Sequence, residues 1–244
     1  MTPHLAAIFR HPIKSVGRER LEAVALSQGA PMPADRAWAV LHAAGEDGFG
    51  WRPCRNFLRV AGGPRLAQVD AETRGDELRL THPDRDPLTF DPDTEAAAFL
   101  AWVAPLWPEA RPAPKRLEKA PPEGMADNGA AEVSLLNLSS LRALSEKAGR
   151  PLEVERFRGN LILDGLPPWA EFDWIDREIR VGAVTLRVSA RIDRCRATEA
   201  NPATGRRDAT PLAALQAGWG HRDFGVTATV TRGGRVVTGD AVVE

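Results

Sequence analysis

The sequence predicts a mainly β, α+β protein built from two β-rich modules, and three observations carry that reading. Short apolar runs, several alternating with period two, are separated by Gly, Pro and Asp turns through most of the chain. Few stretches have the apolar spacing of a helix. A proline-rich segment without apolar period, residues 104–133, divides the chain near its middle. Residues 1–103 then form the first module and residues 134–244 the second.

In the first module, residues 7–13, 21–26, 37–42, 66–70 and 77–81 read as strands. Leu78 and Leu80, set between Glu77, Arg79 and Thr81, show the alternation most plainly. Residues 93–103 read as a helix with Ala97, Leu100 and Ala101 as its apolar stripe and Asp93 or Thr94 as its cap. Residues 104–133 hold Pro105, Pro108, Pro112, Pro114, Pro121 and Pro122 and read as a linker or long surface loop, which Trp102 and Trp107 pin onto a module. Residues 139–148 read as a helix carrying Leu141 and Leu144, closed by Gly149 and Pro151. Strands follow at residues 161–163, 179–181, 184–190, 226–231 and 235–237. A last short helix starts with Thr210 as cap and Pro211 at its first position and runs through Gln216.

Composition narrows the function. The 244 residues suit one or two domains with a real core. With 32 Lys and Arg against 33 Asp and Glu, the chain is not built for nucleic acid or anionic lipid over its whole surface. Two cysteines, Cys54 and Cys195, cannot supply a zinc or iron–sulfur ligand set, and a reduced setting is the simpler reading than one long-range disulfide. The apolar run at residues 5–9 is too short for a signal-peptide core, and nothing approaches the ~20 apolar residues of a membrane span. A cytoplasmic protein is expected, with no nucleic-acid partner and no membrane span.

The sharpest local feature is the run from Val184 to Arg196. Val184, Leu186, Val188, Ala190 and Ile192 share one face; Thr185, Arg187, Ser189, Arg191 and Asp193 share the other. In that register Cys195 falls on the polar face, at the strand end, between Arg194 and Arg196. Adjacent guanidinium charge favours the thiolate, the form that attacks or binds metal; an ordinary strand-end cysteine is the alternative. The polar, turn-rich loop at residues 199–208 adds a position where function concentrates. Cys54 reads as structural.

These residues carry a resemblance. Arg156-Phe-Arg-Gly-Asn160, then Asp193-Arg-Cys195, then Asn201-Pro-Ala-Thr-Gly205 resemble the MOSC domain. Upstream, Pro12-Ile-Lys-Ser15 and Asp35-Arg-Ala-Trp38 resemble the N-terminal β-barrel module that precedes such domains, as in the amidoxime-reducing component and its bacterial relatives. The resemblance implies two β-barrel-like modules with a molybdenum cofactor (Mo-molybdopterin) held between them. It makes Cys195 the metal ligand and catalytic residue. Lys14, Ser15 and Arg36 from the first module, with Arg158, Asn160 and Arg194 from the second, become the cofactor cradle, and Ser139 or Ser140 at a helix start adds a contact. Lys and Arg suit a phosphate, and an amide suits a pterin edge. Gly159, where some members have Pro, is expected to loosen the backbone, and the chain has no Tyr to touch the cofactor.

The implied function is reduction of a small N-hydroxylated substrate, of the hydroxylamine or amidoxime type, at the cofactor. Without the four cysteines of a [2Fe–2S] cluster, the electrons come from a separate iron–sulfur or flavin protein. The alternative is a non-catalytic carrier that holds the cofactor or sulfur on Cys195. A third reading pairs Cys195 with His221 and Asp223 in a cysteine hydrolase.

Overall fold

The computed structural model describes residues 2–244. Its first strands are β1 (His4–Arg10), β2 (Glu19–Leu21), β3 (Ala23–Leu26) and β4 (Trp38–His42). A meander follows, β5 (Asp70–Arg74), β6 (Glu77–His82) and β7 (Arg85–Phe90), then helix α1 (Ala96–Val103) and β8 (Pro114–Lys119). The second half holds β9 (Val133–Asn137), α2 (Leu138–Lys147), β10 (Leu161–Asp164), β11 (Glu178–Val181) and β12 (Val184–Asp193). It closes with α3 (Pro211–Trp219), β13 (Asp223–Arg232), β14 (Gly234–Val237) and β15 (Val242–Val243). The mainly β class is as the sequence predicts.

The largest sheet has the order β15-β11-β12-β13-β9-β10-β1-β2. Its pairs are antiparallel except β9 with β10, which α2 connects as a crossover. Both faces are covered, so the strands alternate between two cores. β9 sends Val133 and Leu135 to one, where Leu5, Ile8, Leu163 and Trp174 pack. It sends Leu136 to the other, with Phe9, Ile162, Phe224 and the α2 and α3 residues Leu144 and Leu215.

The first module is built on the β4–β8 pair and the β5–β6–β7 meander, around a core that includes Val40, Leu58, Leu80, Phe90 and Phe99. Here the linker expectation is corrected. Residues 114–119 of the proline-rich segment form β8, in register with β4 from Trp38 opposite Lys119 to His42 opposite Pro114. Prolines are tolerated because they sit before or at the start of an edge strand. Trp102 and Trp107 do pin the segment; Trp107 lies so close to Gly62 that a Cβ there would stand 2.6 Å from its ring.

Other expectations fail for local reasons. The strand expected at residues 66–70 begins only at Asp70: Pro64 starts a 3-10 turn, Pro64–Gln68, that points Leu66 into the core. Neither Asp93 nor Thr94 caps α1. Asp91 accepts from the Asp93 N–H and the Thr94 hydroxyl, each at 2.9 Å, and builds the turn ahead of it. Thr210 precedes α3 without a side-chain cap bond. The modules also interlace, since β1 pairs with β10 and β3 with β14.

Candidate functional site

A cavity of about 490 Å³ opens between the modules, and it gathers Cys195 and every cradle residue named from the sequence except Ser139 and Ser140. Lys14, Ser15 and Arg36 come from the first module; Arg158, Asn160, Arg194 and Cys195 come from the second.

The backbone at this wall is unusual. Ser15, Arg36 and Arg158 all adopt left-handed conformations, with φ of 65°, 50° and 48°. Such conformations cost an L-residue about 1–2 kcal/mol each and gather where function requires a set direction. A tight turn from Ile13 to Val16 fixes Ser15, while the Lys14 N–H donates to the Trp38 carbonyl at 2.7 Å. The Arg36 N–H donates to His11 at 2.7 Å, which ties the second turn to the first. Arg158 caps the 3-10 turn Val154–Phe157. Gly159, next to it, has no room for a side chain, because a Cβ would lie 2.4 Å from Leu136. The glycine serves close approach of the chain to β9, not looseness, which corrects the earlier expectation.

Charge accumulates on these turns. Lys14 is almost fully buried; its Nζ donates to the Met125 carbonyl at 2.6 Å and to the Asp127 carboxylate. Arg36 pairs with Asp35 and donates to the Arg158 carbonyl at 2.8 Å. Arg194 donates to the carbonyls of Phe224 and Phe157, both at 2.8 Å, and lies against both rings. Arg158 reaches the Ile13 carbonyl at 3.3 Å. Burial, then the nearby Arg36 guanidinium, pushes Arg158 down to about 9. Burial likewise pushes Arg194 down to about 9, with the Cys195 charge opposing and Arg36 adding to the fall. Both remain cations at neutral pH. His11, behind them, is held well below its usual value by burial and by Arg158 and Arg36. Its Nε2 lies 3.3 Å from the Gly159 carbonyl and donates there, leaving Nδ1 without a partner.

Cys195 is exposed, at the end of β12. The alternation of β12 holds through Val188 and then breaks. A register shift between Val188 and Ala190 turns Ala190, Arg191 and Ile192 onto the cavity wall along with Cys195.

Several readings need correction. Ser139 does not line the cavity: it sits at the α2 start, where Asn137 caps its N–H at 2.9 Å and its hydroxyl accepts from Arg142. Ser140 is buried against Glu171. Asn160 lines the cavity, but its side-chain amide is engaged within the protein, accepting from Ser134 and donating to the Phe9 carbonyl at 3.2 Å. It stitches β9, β10 and β1 together. His221 is not brought to Cys195; it packs on Trp169 and Phe172, and its Nδ1 accepts from the Asp223 N–H at 3.0 Å. The Asn201–Gly205 motif docks the modules, with Gln68 donating to the Ala203 carbonyl at 3.0 Å. Cys54, read as structural, lines the same cavity as Cys195, with Arg59 at 3.8 Å from its sulfur. Asp127 and Ser134 also line it, and neither carries a signal in the sequence: an acid in a proline-rich loop and a serine in a strand look ordinary.

The residues present fit an anionic, thiolate-ligated group. Among the described residues, Arg59, Arg158 and Arg194 line the cavity without a carboxylate ion-pair partner, beside the exposed thiol of Cys195. No group of three or more His, Cys, Asp or Glu side chains is gathered there or elsewhere among the described residues. A metal at Cys195 would therefore take its other ligands from a cofactor. No helix of the described residues is long and apolar enough to cross a membrane.

Comparison with known proteins agrees. The model of the MOSC domain matches residues 121–243, and that of the MOSC N-terminal beta barrel domain matches residues 2–114. Molybdenum cofactor sulfurase of Anopheles gambiae is 32% identical over 123 residues, which is 46% of this chain and 16% of the relative. Mitochondrial amidoxime-reducing component 1 of Xenopus laevis is 33% identical over 76 residues, 31% of this chain and 22% of the relative. The chain thus spans under a quarter of each relative's length. Among solved structures, the YuaD protein of Bacillus subtilis matches 99% of this chain and 94% of its own, with a TM-score of 0.46 and 13% identity. With four of its five motifs gathered on one cavity and both family models matched in order, the chain belongs to the MOSC domain family and carries that family's N-terminal beta barrel domain.

Proposed function

We propose that the protein is a molybdenum-cofactor-binding oxidoreductase that reduces small N-hydroxylated substrates, of the hydroxylamine or amidoxime type, with electrons from a separate iron–sulfur or flavin protein. One observation carries this reading: Cys195 lies on the wall of a cavity where Arg59, Arg158 and Arg194 have no carboxylate partner among the described residues. The names of the two curated relatives both point to molybdenum-cofactor chemistry, and that of the amidoxime-reducing component supports the reduction.

Each chain residue then has a task. Cys195 binds the metal through its thiolate, a soft ligand for a soft centre. Lys14 meets the cofactor's phosphate as a point charge, and Arg36 and Arg158 meet it as planar forks. Ser15 offers its hydroxyl from a turn already bent toward the cavity. Arg194 holds the last turn of β12 against β13 through Phe224, and so sets where Cys195 points. Val60, Ala61 and Ile192 give the cavity apolar walls that take the body of the substrate and keep water from it. When bound, the cofactor supplies two-electron redox chemistry at molybdenum.

The test is metal content. Protein purified from a molybdenum-replete host is expected to carry near-stoichiometric molybdenum by mass spectrometry, and Cys195→Ser to carry none; a metal-free wild type from a competent host refutes the proposal. The carrier reading, which the cofactor sulfurase relative favours, uses the same cradle. Turnover separates the two: steady reduction of an amidoxime with a chemical reductant marks the enzyme, and bound molybdenum without turnover marks the carrier.

A further inference from the structure

Residues 126–132 run along the cavity between two fixed points. Before them, Met125 is buried against Ala39, Leu41 and Phe57, and its N–H donates to the Arg36 carbonyl at 3.1 Å. After them, β9 begins with the buried Val133. The stretch between is loosely tied. Trp51 Nε1 donates to the Ala126 carbonyl at 2.7 Å, and Asn128 bonds Glu132 and the Ala130 N–H. The one hydrogen bond found to join residues 127–132 to the body of the protein, among the described residues, is Asp127 to Lys14.

That contact is lopsided. Lys14 is 6% exposed at its side chain, whereas Asp127 is 69% exposed. Lys14 is also fixed independently by the Met125 carbonyl at 2.6 Å, so it does not need Asp127 to hold its place. Partial desolvation at the cavity mouth works to raise the Asp127 carboxyl, yet Lys14, and beyond it Arg36 and Arg59, hold it below the usual range. The carboxylate therefore sits at the focus of three cavity cations. Gly129, left-handed at φ of 68°, follows it within the stretch and provides a turning point.

We propose that residues 126–132 are a displaceable strap whose Asp127 carboxylate occupies the anion site at Lys14 until a phosphate group takes its place. The idea rests on the cofactor reading for the source of that phosphate, but the exchange itself concerns only this chain and an anion. A carboxylate and a phosphate compete for the same Nζ donors. The strap then swings out, turning at Gly129, while Met125 stays anchored. It keeps the empty cradle neutral enough to fold and exposes full positive charge only to a ligand that can replace it.

The experiment uses the full chain from a molybdate-starved host, with inorganic phosphate as probe. Removing the internal competitor is expected to tighten phosphate binding about tenfold in Asp127→Asn by calorimetric titration, since apparent affinity scales with the fraction of site left open. Asp127→Ser should behave alike, and Lys14→Gln should lose the binding. By hydrogen exchange, the amides of residues 126–132 should exchange several-fold faster in wild type when phosphate is added, and fast in Asp127→Asn without it. Equal or weaker phosphate binding in both Asp127 variants, no binding to any form, or slower exchange with phosphate would overturn the strap. Molybdenum content of the loaded protein tests the cofactor separately: a strap that opens to phosphate in a protein that never holds molybdenum leaves the strap standing and removes the cofactor.

Discussion

On the first-module wall of the cavity, Lys14 and Arg36 each lie against a carboxylate, Asp127 and Asp35. Across from them Arg158 and Arg194 lean on main-chain carbonyls and, among the described residues, have no acid partner. Both walls are buried or half-buried, so the contrast is one of compensation rather than exposure. A cation bonded to carbonyls is solvated but not neutralised, and it repels its neighbours. The first wall can change its charge by moving a carboxylate. The second carries its charge permanently, and the fold has to bear the cost.

The sharpest way to break this comparison is to remove one cation from each wall. Arg194→Met leaves the buried Phe157 and Phe224 carbonyls without their donor, a loss of about 3 kcal/mol at the usual cost of unsatisfied buried groups. Lys14→Met leaves an exposed carboxylate that water can solvate and one carbonyl, a loss of about 1 kcal/mol. Urea unfolding measures both. Equal costs would mean that the two walls are built alike.

Acid sensitivity reports the same uncompensated charge. His11 sits beside Arg36 and Arg158, its Nδ1 lacks a partner, and burial and those two cations keep it neutral well below its ordinary range. Above pH 6.5 neither the native nor the unfolded chain binds a proton there. Below it the unfolded chain does and the native one does not, so stability falls with pH until the native pKa is reached. Between pH 7.5 and 5.5 the loss amounts to up to about 1.4 kcal/mol from this residue. His11→Gln should remove that part of the acid limb of the unfolding profile. An unchanged limb would place the acid sensitivity elsewhere.

What could be read from the sequence divides along the same wall. Cys195 and Arg158 stood in local motifs, because a thiolate at a strand end and an arginine before a glycine are features of adjacent residues. Ser139 was misplaced because a helix start looks the same whether it faces a cavity or, as here, Asn137 and Arg142. Cys54 and Asp127 were invisible as site residues, since only tertiary pairing of β4 with β8 and the path after β8 bring them to the cavity. Residues 114–119 look like loop in the sequence because Pro112 and Pro114 interrupt any strand pattern, whereas an edge strand tolerates a proline at its start. The strands β1, β3, β4, β6 and β10–β14 are legible in the pattern; β5, β7 and β9 are not, and a register shift in β12 reverses the inside and outside of Ala190 and Ile192.

The smallest effect has the opposite sign and separates stability from binding. Arg158 is left-handed, which costs an L-residue about 1–2 kcal/mol, while glycine adopts that conformation freely and costs about 0.5–1 kcal/mol in chain entropy. Arg158→Gly also removes one of two mutually repelling guanidiniums and gives up a long hydrogen bond to Ile13 at 3.3 Å. The Arg158 carbonyl that Arg36 uses remains. The variant should therefore be more stable than wild type by roughly 0.5–1 kcal/mol, while its affinity for inorganic phosphate drops. A gain in melting temperature with a loss of binding would show that the second wall holds its charge against the interest of the fold, for a ligand. A loss in both would mean that Arg158 is a structural strut, and the asymmetry between the walls would then be a matter of packing.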